Sequence, residues 1–172
     1  MSEFLMDTLM VSKQATADAR AMIDHFNATR KHVQRVQHYL NAFAYELMNR
    51  ATVHDESKYG PEEAEHFARV VPRLAGSTYG SDEYKATLRE IKPAINHHNA
   101  NNSHHPEHYP NGVDGMTLMD FVEMFCDWKA AGERHDNGDM RQSIMKNEER
   151  FKLAPQVRSM MLNTVPWIEA HK

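Results

Sequence analysis

A run of apolar residues at helical spacing constrains the fold of this chain more than any other feature of its sequence. Between Arg30 and Ala51 the apolar side chains recur at alternating steps of three and four residues, which places them on one face of an α-helix. These residues are Val33, Val36, Leu40, Phe43 and Leu47. No alternating pattern of useful length predicts a strand. The sequence therefore predicts an all-α fold, with Thr29 or Asn27 as the N-cap of this helix.

Further helices are predicted in the middle of the chain. One covers about residues 62–74 after a Gly-Pro break, and Ser81 caps the next. The apolar stripe of that second helix continues onto His98 rather than His97. Pro93 is expected to kink or restart it, because proline cannot donate the backbone hydrogen bond of a helix interior.

The last third of the chain is also predicted to be helical. Thr117 with Asp120 resembles a capping box at the start of a helix over about residues 118–131. Two shorter helices are expected over about residues 140–153 and 155–163.

Size and charge narrow the class of protein. A chain of 172 residues fits a single domain over residues 1–172, with a core over about residues 30–131 and with N- and C-terminal helices packing on it. No run approaches the ~20 apolar residues of a membrane span, and acidic residues stand where a secretory signal would be basic. We therefore expect a cytoplasmic protein with no membrane partner. A net charge of −4 with dispersed Lys and Arg predicts no binding to duplex nucleic acid.

The dipeptide His54-Asp55, directly after the first predicted helix, is the strongest indication of chemistry. An imidazole and a carboxylate at one backbone corner can share a divalent ion if other helices supply the remaining ligands. Five of the twelve histidines lie within residues 97–108. A second such dipeptide, His135-Asp136, stands in a turn-like Asn-Gly-Asp setting and is interpreted as a surface loop.

Other histidines are candidate ligands for the same ion. His32 lies at the edge of the first apolar stripe, and His98 is predicted on the inner face of its helix. Clustering of His104, His105 and His108 favours at least one ligand or substrate contact, but spacing does not choose between them. His104 and His105 are not expected to face one ion from an extended loop.

Three carboxylates lie on one side of the following helix. They are Asp120, Glu123 and Asp127. Apolar residues flank that side as well, so the helix is expected to be buried and its carboxylates to need partners such as a cation. Asp127 is favoured over Asp120 as a ligand. Because Cys126 is the only cysteine, a metal must be held by nitrogen and oxygen, and a ligand set rich in His suits Mn, Fe, Co or Zn better than Mg.

The order of these residues resembles the HD-domain superfamily of metal-dependent phosphohydrolases, which has an all-helical fold. The resemblance covers about residues 30–131. The blocks 54–58, 104–108 and 123–128 are also similar to an uncharacterised set of small phage and bacterial proteins within or near that superfamily. The resemblance implies a single-domain HD-like helical bundle.

The resemblance also implies a centre of one or two divalent ions. One ion would be held by His32, His54, Asp55 and Asp127. Asp55 would bridge to a second ion held by His98 and one of the pair His104 and His105; we assign His104 to the ion and His105 to the substrate. Bridged ions would lower the pKa of a bound water and stabilise charge on phosphoryl oxygens.

Lys58 would then hold a phosphate oxygen of the substrate, and Glu123 or Glu62 would move protons. The leading hypothesis is hydrolysis of a phosphomonoester or phosphodiester in a small nucleotide-like substrate. Lys58 weakens a specific assignment as a nucleotidase, because nucleotidase branches of the superfamily tend to have Glu at that place. A homodimer is compatible with the sequence.

Three alternatives stay open at the level of sequence. The first is a di-iron oxygenase, since the superfamily includes such enzymes. The second is an HNH-type nuclease, suggested by His104-His105-Pro106 with Gly112 and Gly115, although paired strands and a basic surface are not predicted. The third is a non-catalytic, metal-stabilised module that binds a partner protein.

Overall fold

The computed structural model describes residues 3–78, 81–134 and 138–171, and within these ranges it contains seven α-helices and no strand. The helices are α1 Glu3–Val53, α2 Ala64–Ala75, α3 Asp82–Glu90, α4 Lys92–Asn101, α5 Leu118–Gly132, α6 Met140–Phe151 and α7 Pro155–Glu169. Short 3-10 segments lie at Glu56–Tyr59, Pro106–His108 and Gly112–Gly115. The predicted all-α fold class is confirmed.

The first helix is longer than predicted. α1 runs without a break through Asn27 and Thr29, so the predicted N-cap at either residue is wrong. Neither Gly nor Pro occurs before Gly60, and a chain without these residues offers no strong local reason to end a helix.

Local capping signals predicted several helix ends correctly. The Ser81 side chain accepts a hydrogen bond from Tyr84 N at the start of α3, and α4 restarts with Pro93 in its first turn. The capping box of Thr117 and Asp120 is present at the start of α5. α7 extends beyond the predicted end near residue 163, to Glu169, and includes Pro166.

The chain divides into two compact units, Met1–Glu46 and Leu47–Lys172. In the first unit, the described residues belong to α1, and its apolar stripe is exposed at Val33, Val36, Leu40 and Phe43. The prediction of a single domain over residues 1–172 stays a prediction.

The second unit contains a hydrophobic core between α5, α6 and α7. Its buried members are Met124, Phe125, Met140, Ile144, Leu153, Met161 and Val165. The helix α5 also carries the carboxylates that the sequence singled out. Within the described ranges, no helix is both long enough and apolar enough to span a membrane.

Candidate metal centre

Asp55 lies just beyond the end of α1 and has a left-handed backbone conformation, with φ 58° and ψ 19°. Aspartate and asparagine enter this region at lower cost than most residues. The conformation leads the chain into the 3-10 segment Glu56–Tyr59, where Lys58 N donates to Asp55 O at 2.9 Å. The end of α1 therefore presents His54, Asp55 and Lys58 close together.

One carboxylate oxygen of Asp55 faces two histidine rings. Asp55 Oδ1 lies 3.2 Å from His98 Nε2 and 3.5 Å from His104 Nε2. Asp55 Oδ1 and His104 Nε2 are buried, and neither has a hydrogen-bond partner among the described residues. Burial acts to raise the pKa of Asp55, but contacts with His104 and His98 hold that pKa well below its usual range. A cation between these atoms would satisfy both of them.

The other carboxylate oxygen of Asp55 faces a second set of groups. Asp55 Oδ2 accepts a hydrogen bond from Lys58 Nζ at 2.5 Å and lies 3.5 Å from His54 Nε2. His54 Nε2 also lies 3.7 Å from Asp127 Oδ1. Asp55 thus stands between two clusters of nitrogen and oxygen atoms.

These side chains form groups whose ligand atoms lie within 4.8 Å of one another, which is close enough to hold a metal ion. The groups are Asp55 with His98, His104 and His105; His54 with Asp55 and Asp127; and His54 with His104 and Glu123. The first two groups share Asp55. The structure therefore brings together six of the residues that the sequence predicted as metal ligands or substrate contacts.

The buried carboxylate of Glu63 contacts the Nδ1 atoms of two histidines on α4. Glu63 is fully buried, with Oε1 2.7 Å from His97 Nδ1 and Oε2 2.9 Å from His98 Nδ1. In a neutral ring, an Nδ1–H that donates to a carboxylate leaves Nε2 without a proton, which is the form that binds a metal. His98 is therefore oriented with Nε2 toward Asp55.

Glu123 on α5 has the same relation to two other rings. Its Oε1 lies 2.8 Å from His54 Nδ1 and 3.0 Å from His104 Nδ1, while its Oε2 accepts a hydrogen bond from Arg50 Nε at 2.7 Å. The Nε2 atoms of both rings are the ones near Asp55. These contacts favour a role for Glu123 in orienting histidines, whereas its predicted role in proton transfer stays a prediction.

The charges within the cluster are strongly coupled. Hydrogen bonding to Asp127 and Glu123 raises the pKa of His54 to about 10. Burial and the neighbouring His104 lower the pKa of His105 to about 3. His105 Nε2 lies 2.9 Å from His98 Nε2, so two ring nitrogens share a small space. A neutral His105 beside anionic carboxylates is a suitable ligand set for a divalent cation.

Asp120 is occupied by a separate network. It is paired with Arg50, and it accepts hydrogen bonds from Ser103 Oγ at 2.6 Å and Tyr109 OH at 2.8 Å. Thr117 N and Oγ1 also donate to it, at 2.8 and 2.6 Å. Because both oxygens already have donors, the preference for Asp127 over Asp120 as a ligand agrees with this geometry.

A polar cavity of about 400 Å³ opens beside the cluster. His104 and Glu123 form one part of its lining, and Ser57 and Asn102 form another. This volume lies within the range of about 300–1,000 Å³ that is typical of small-molecule sites.

The remaining predicted residues fall elsewhere or differ from expectation. His104 and His105 belong to one ligand group, contrary to the expectation that they would not face one ion, because residues 103–105 form a turn rather than an extended loop. His108 is exposed, and His32 lies exposed in the first unit, so its role as a ligand stays a prediction. The pair His135-Asp136 lies outside the described residues.

Sequence reasoning missed Glu63 and named its exposed neighbour Glu62 as the alternative to Glu123 for proton transfer. A usable signal was present. Phe67 and Val70 follow Glu63 at helical spacings of four and seven, and Val70 is fully buried. Projecting that stripe back by one turn places Glu63, not Glu62, on the inner face.

Comparison with known proteins gives a match to a protein-family model. No curated protein and no solved structure matches this chain. The model of a family of unknown function, DUF5662, matches residues 21–170, which include the whole cluster around Asp55. The chain therefore belongs to the DUF5662 family, whose function is unknown.

Proposed function

We propose that the cluster around Asp55 binds one or two divalent transition-metal ions and that the protein is a metal-dependent phosphohydrolase. The observation that carries the proposal is the pair of buried atoms Asp55 Oδ1 and His104 Nε2, 3.5 Å apart and without hydrogen-bond partners in the described part of the chain. Native proteins rarely leave such atoms unsatisfied, and a bound ion satisfies a carboxylate and an imidazole together.

The composition of the site supports a transition metal. The ligand atoms are imidazole nitrogens and carboxylate oxygens, a set that suits Mn, Fe, Co or Zn better than Mg. Glu63 and Glu123 accept hydrogen bonds from the outer nitrogens of the ligand rings, as carboxylates do around many metal-bound histidines. Two of the ligand groups share Asp55, which favours a binuclear arrangement.

Phosphate chemistry is favoured by the ammonium group of Lys58, which lies beside the ligands. Metal ions in such a centre supply a water of lowered pKa and stabilise negative charge on phosphoryl oxygens. Lys58 is about one third exposed and lies against Asp55, so its ammonium group is within reach of a phosphate oxygen that enters the site. His105 would contact the substrate or complete the ligand set. The adjoining cavity of about 400 Å³ lies in the volume range of small-molecule sites, which supports a small phosphate ester as the substrate.

Metal content tests the first half of the proposal. Protein purified without added metal should carry one or two equivalents of a transition metal by elemental analysis. His98→Ala and Asp127→Ala should each lose at least one equivalent. His108→Ala is the matched control, because His108 is exposed and belongs to none of the ligand groups found among the described residues. Unchanged metal content in both ligand variants would refute the proposal.

Activity tests the second half. The metal-loaded protein should release phosphate from members of a nucleotide panel or hydrolyse bis(p-nitrophenyl) phosphate, and His98→Ala should abolish this activity. Oxygen consumption by the iron-loaded protein without phosphate release would favour a di-iron oxygenase instead. Loss of thermal stability on metal removal, with neither activity found, would favour a non-catalytic metal-stabilised module.

A further inference from the structure

The first unit carries an apolar stripe that follows a coiled-coil repeat. Along α1 the seam positions alternate in steps of four and three over residues 22–43. They are Met22, Phe26, Thr29, Val33, Val36, Leu40 and Phe43, and the six apolar members are between 41% and 63% exposed. A sustained repeat of 3.5 residues is typical of helices that pack along a left-handed supercoil.

The remainder of the helix surface has the opposite character. Lys31, Gln34, Arg35, His38 and Asn41 are all polar and lie away from the seam. Two apolar residues beside the seam, Ile23 and Tyr39, are also exposed and widen the stripe. This segment therefore has one apolar face and one face suited to water.

We propose that this stripe binds the same stripe of a second copy of the chain, so that the protein is a homodimer through α1. The size of the stripe supports this occupant. A large aromatic side chain buries about 150–250 Å², and the stripe contains two phenylalanines and four other large apolar residues. Because roughly half of each side chain is exposed, together they supply on the order of 600 Å² per copy, which is toward the lower end for a specific interface.

The stripe is also complementary to itself. In an antiparallel pairing centred between Val33 and Val36, each of these valines meets the other in the second copy. The same register sets Phe26 of one copy against Phe43 of the other, and Thr29 against Leu40. The contact is then isologous, as in most two-fold dimers, and needs no partner of another sequence.

The flanking charges agree with the same pairing. Arg30 lies nearest Gln37 of the second copy, and His25 lies nearest its Glu46, so no two like charges meet across the seam. A parallel, in-register pairing would instead set His25 beside Arg30. That contact repels only when His25 is charged, whereas the antiparallel pairing brings no two like charges together.

The test is the mass of the full chain in solution, by light scattering and sedimentation over a range of concentrations. The expected mass is twice the 19.9 kDa of one chain. A double variant Val36→Glu, Leu40→Glu should shift the protein to a monomer. The matched control Gln34→Glu, Asn41→Glu adds the same charge to the opposite face of the same helix and should leave the dimer intact.

Circular dichroism shows whether each variant stays helical. If the double variant unfolds, Leu40→Ala decides instead, and it should weaken dimerisation roughly tenfold or more. A wild-type protein that is monomeric at every concentration, or a double variant that still dimerises, overturns the proposal. The proposal is independent of the metal centre, since metal content can be measured in the same variants.

Discussion

Asp55 Oδ1 lies 3.5 Å from His104 Nε2, and both atoms are buried with no hydrogen bond to any other described residue. Two further imidazoles, of His98 and His105, offer ligand atoms to the same group. An arrangement of this kind is costly as a metal-free fold, because desolvated polar atoms lose their bonds to water without replacement. The relationship links the stability of the second unit to its occupancy by a cation.

Metal binding should therefore raise the thermal midpoint of unfolding. A ligand present at a hundred times its dissociation constant stabilises the native state by about 2.7 kcal/mol. For a chain of this length that corresponds to a rise of roughly 5–10 °C. Calorimetry in excess chelator, and then with Zn²⁺ or Mn²⁺ added, measures the shift. His98→Ala should lose most of it, and an unchanged midpoint in the wild type would contradict a metal-stabilised site.

Replacing Glu63 should weaken metal binding, although Glu63 belongs to none of the ligand groups found in the described part of the chain and acts through His98. Glu63→Ala removes the carboxylate that holds His98 Nδ1 at 2.9 Å, so the ring loses its orientation and its preferred tautomer. We expect metal affinity to fall about 10–100-fold. Glu63→Gln, which keeps one acceptor oxygen, should restore part of the loss.

Glu62→Gln is the matched control for this substitution, because Glu62 is the exposed neighbour of Glu63. Its metal affinity should equal that of the wild type. Competition with a chromogenic chelator measures all three variants, and circular dichroism separates weaker binding from unfolding. Equal affinity in Glu63→Ala and the wild type would show that Glu63 serves only to fill the core.

Substitution of Lys58 should separate phosphate binding from metal binding. Lys58→Ala removes a cation that lies beside the ligands but is not one of them. If Lys58 contacts a phosphoryl oxygen, kcat/KM for a phosphate ester should fall by roughly 10²–10³ while metal content stays unchanged. Lys85→Ala, an exposed substitution on α3, controls for loss of charge alone. Full activity in Lys58→Ala would show that Lys58 does not contact the phosphoryl group of the substrate.

Local sequence patterns predicted the parts of this molecule that depend on local chemistry. The cap at Ser81 and the capping box at Thr117 depend on hydrogen bonds within a few residues, and both are present. The choice of His98 over His97 as the buried residue depends only on helical phase, and it is also correct. Each of these features can be derived from residues that are neighbours in the chain.

The features that sequence reasoning missed depend on residues distant in the chain. Glu63 meets His98 across 35 positions, and Arg50 meets Glu123 across 73. Periodicity placed His98 on the inner face of its helix, but it could not identify the partner of that side chain.

The network around Asp120 predicts a specific response to acid in metal-free protein. Burial acts to raise the pKa of Asp120, but hydrogen bonds from Ser103 and Thr117 hold that pKa below its ordinary value. A carboxyl group of this kind stabilises the fold fully above its unfolded pKa of about 4, and the contribution is lost as the pH falls toward the lower folded pKa. The charge of Asp120 should therefore stabilise the fold at neutral pH, and this stabilisation should decrease progressively below about pH 4.

Asp120→Asn tests this expectation, because it removes the charge while retaining the shape of the side chain. At pH 7 the variant should be less stable by about 3 kcal/mol, since Arg50 loses a buried partner. Urea unfolding in chelator at several pH values should show the difference shrinking as the pH falls below about 4. Asp139→Asn is the control at pH 7, since Asn also caps a helix and its effect there should be small. A difference between wild type and Asp120→Asn that stays constant with pH would show that shape, and not charge, holds this network together.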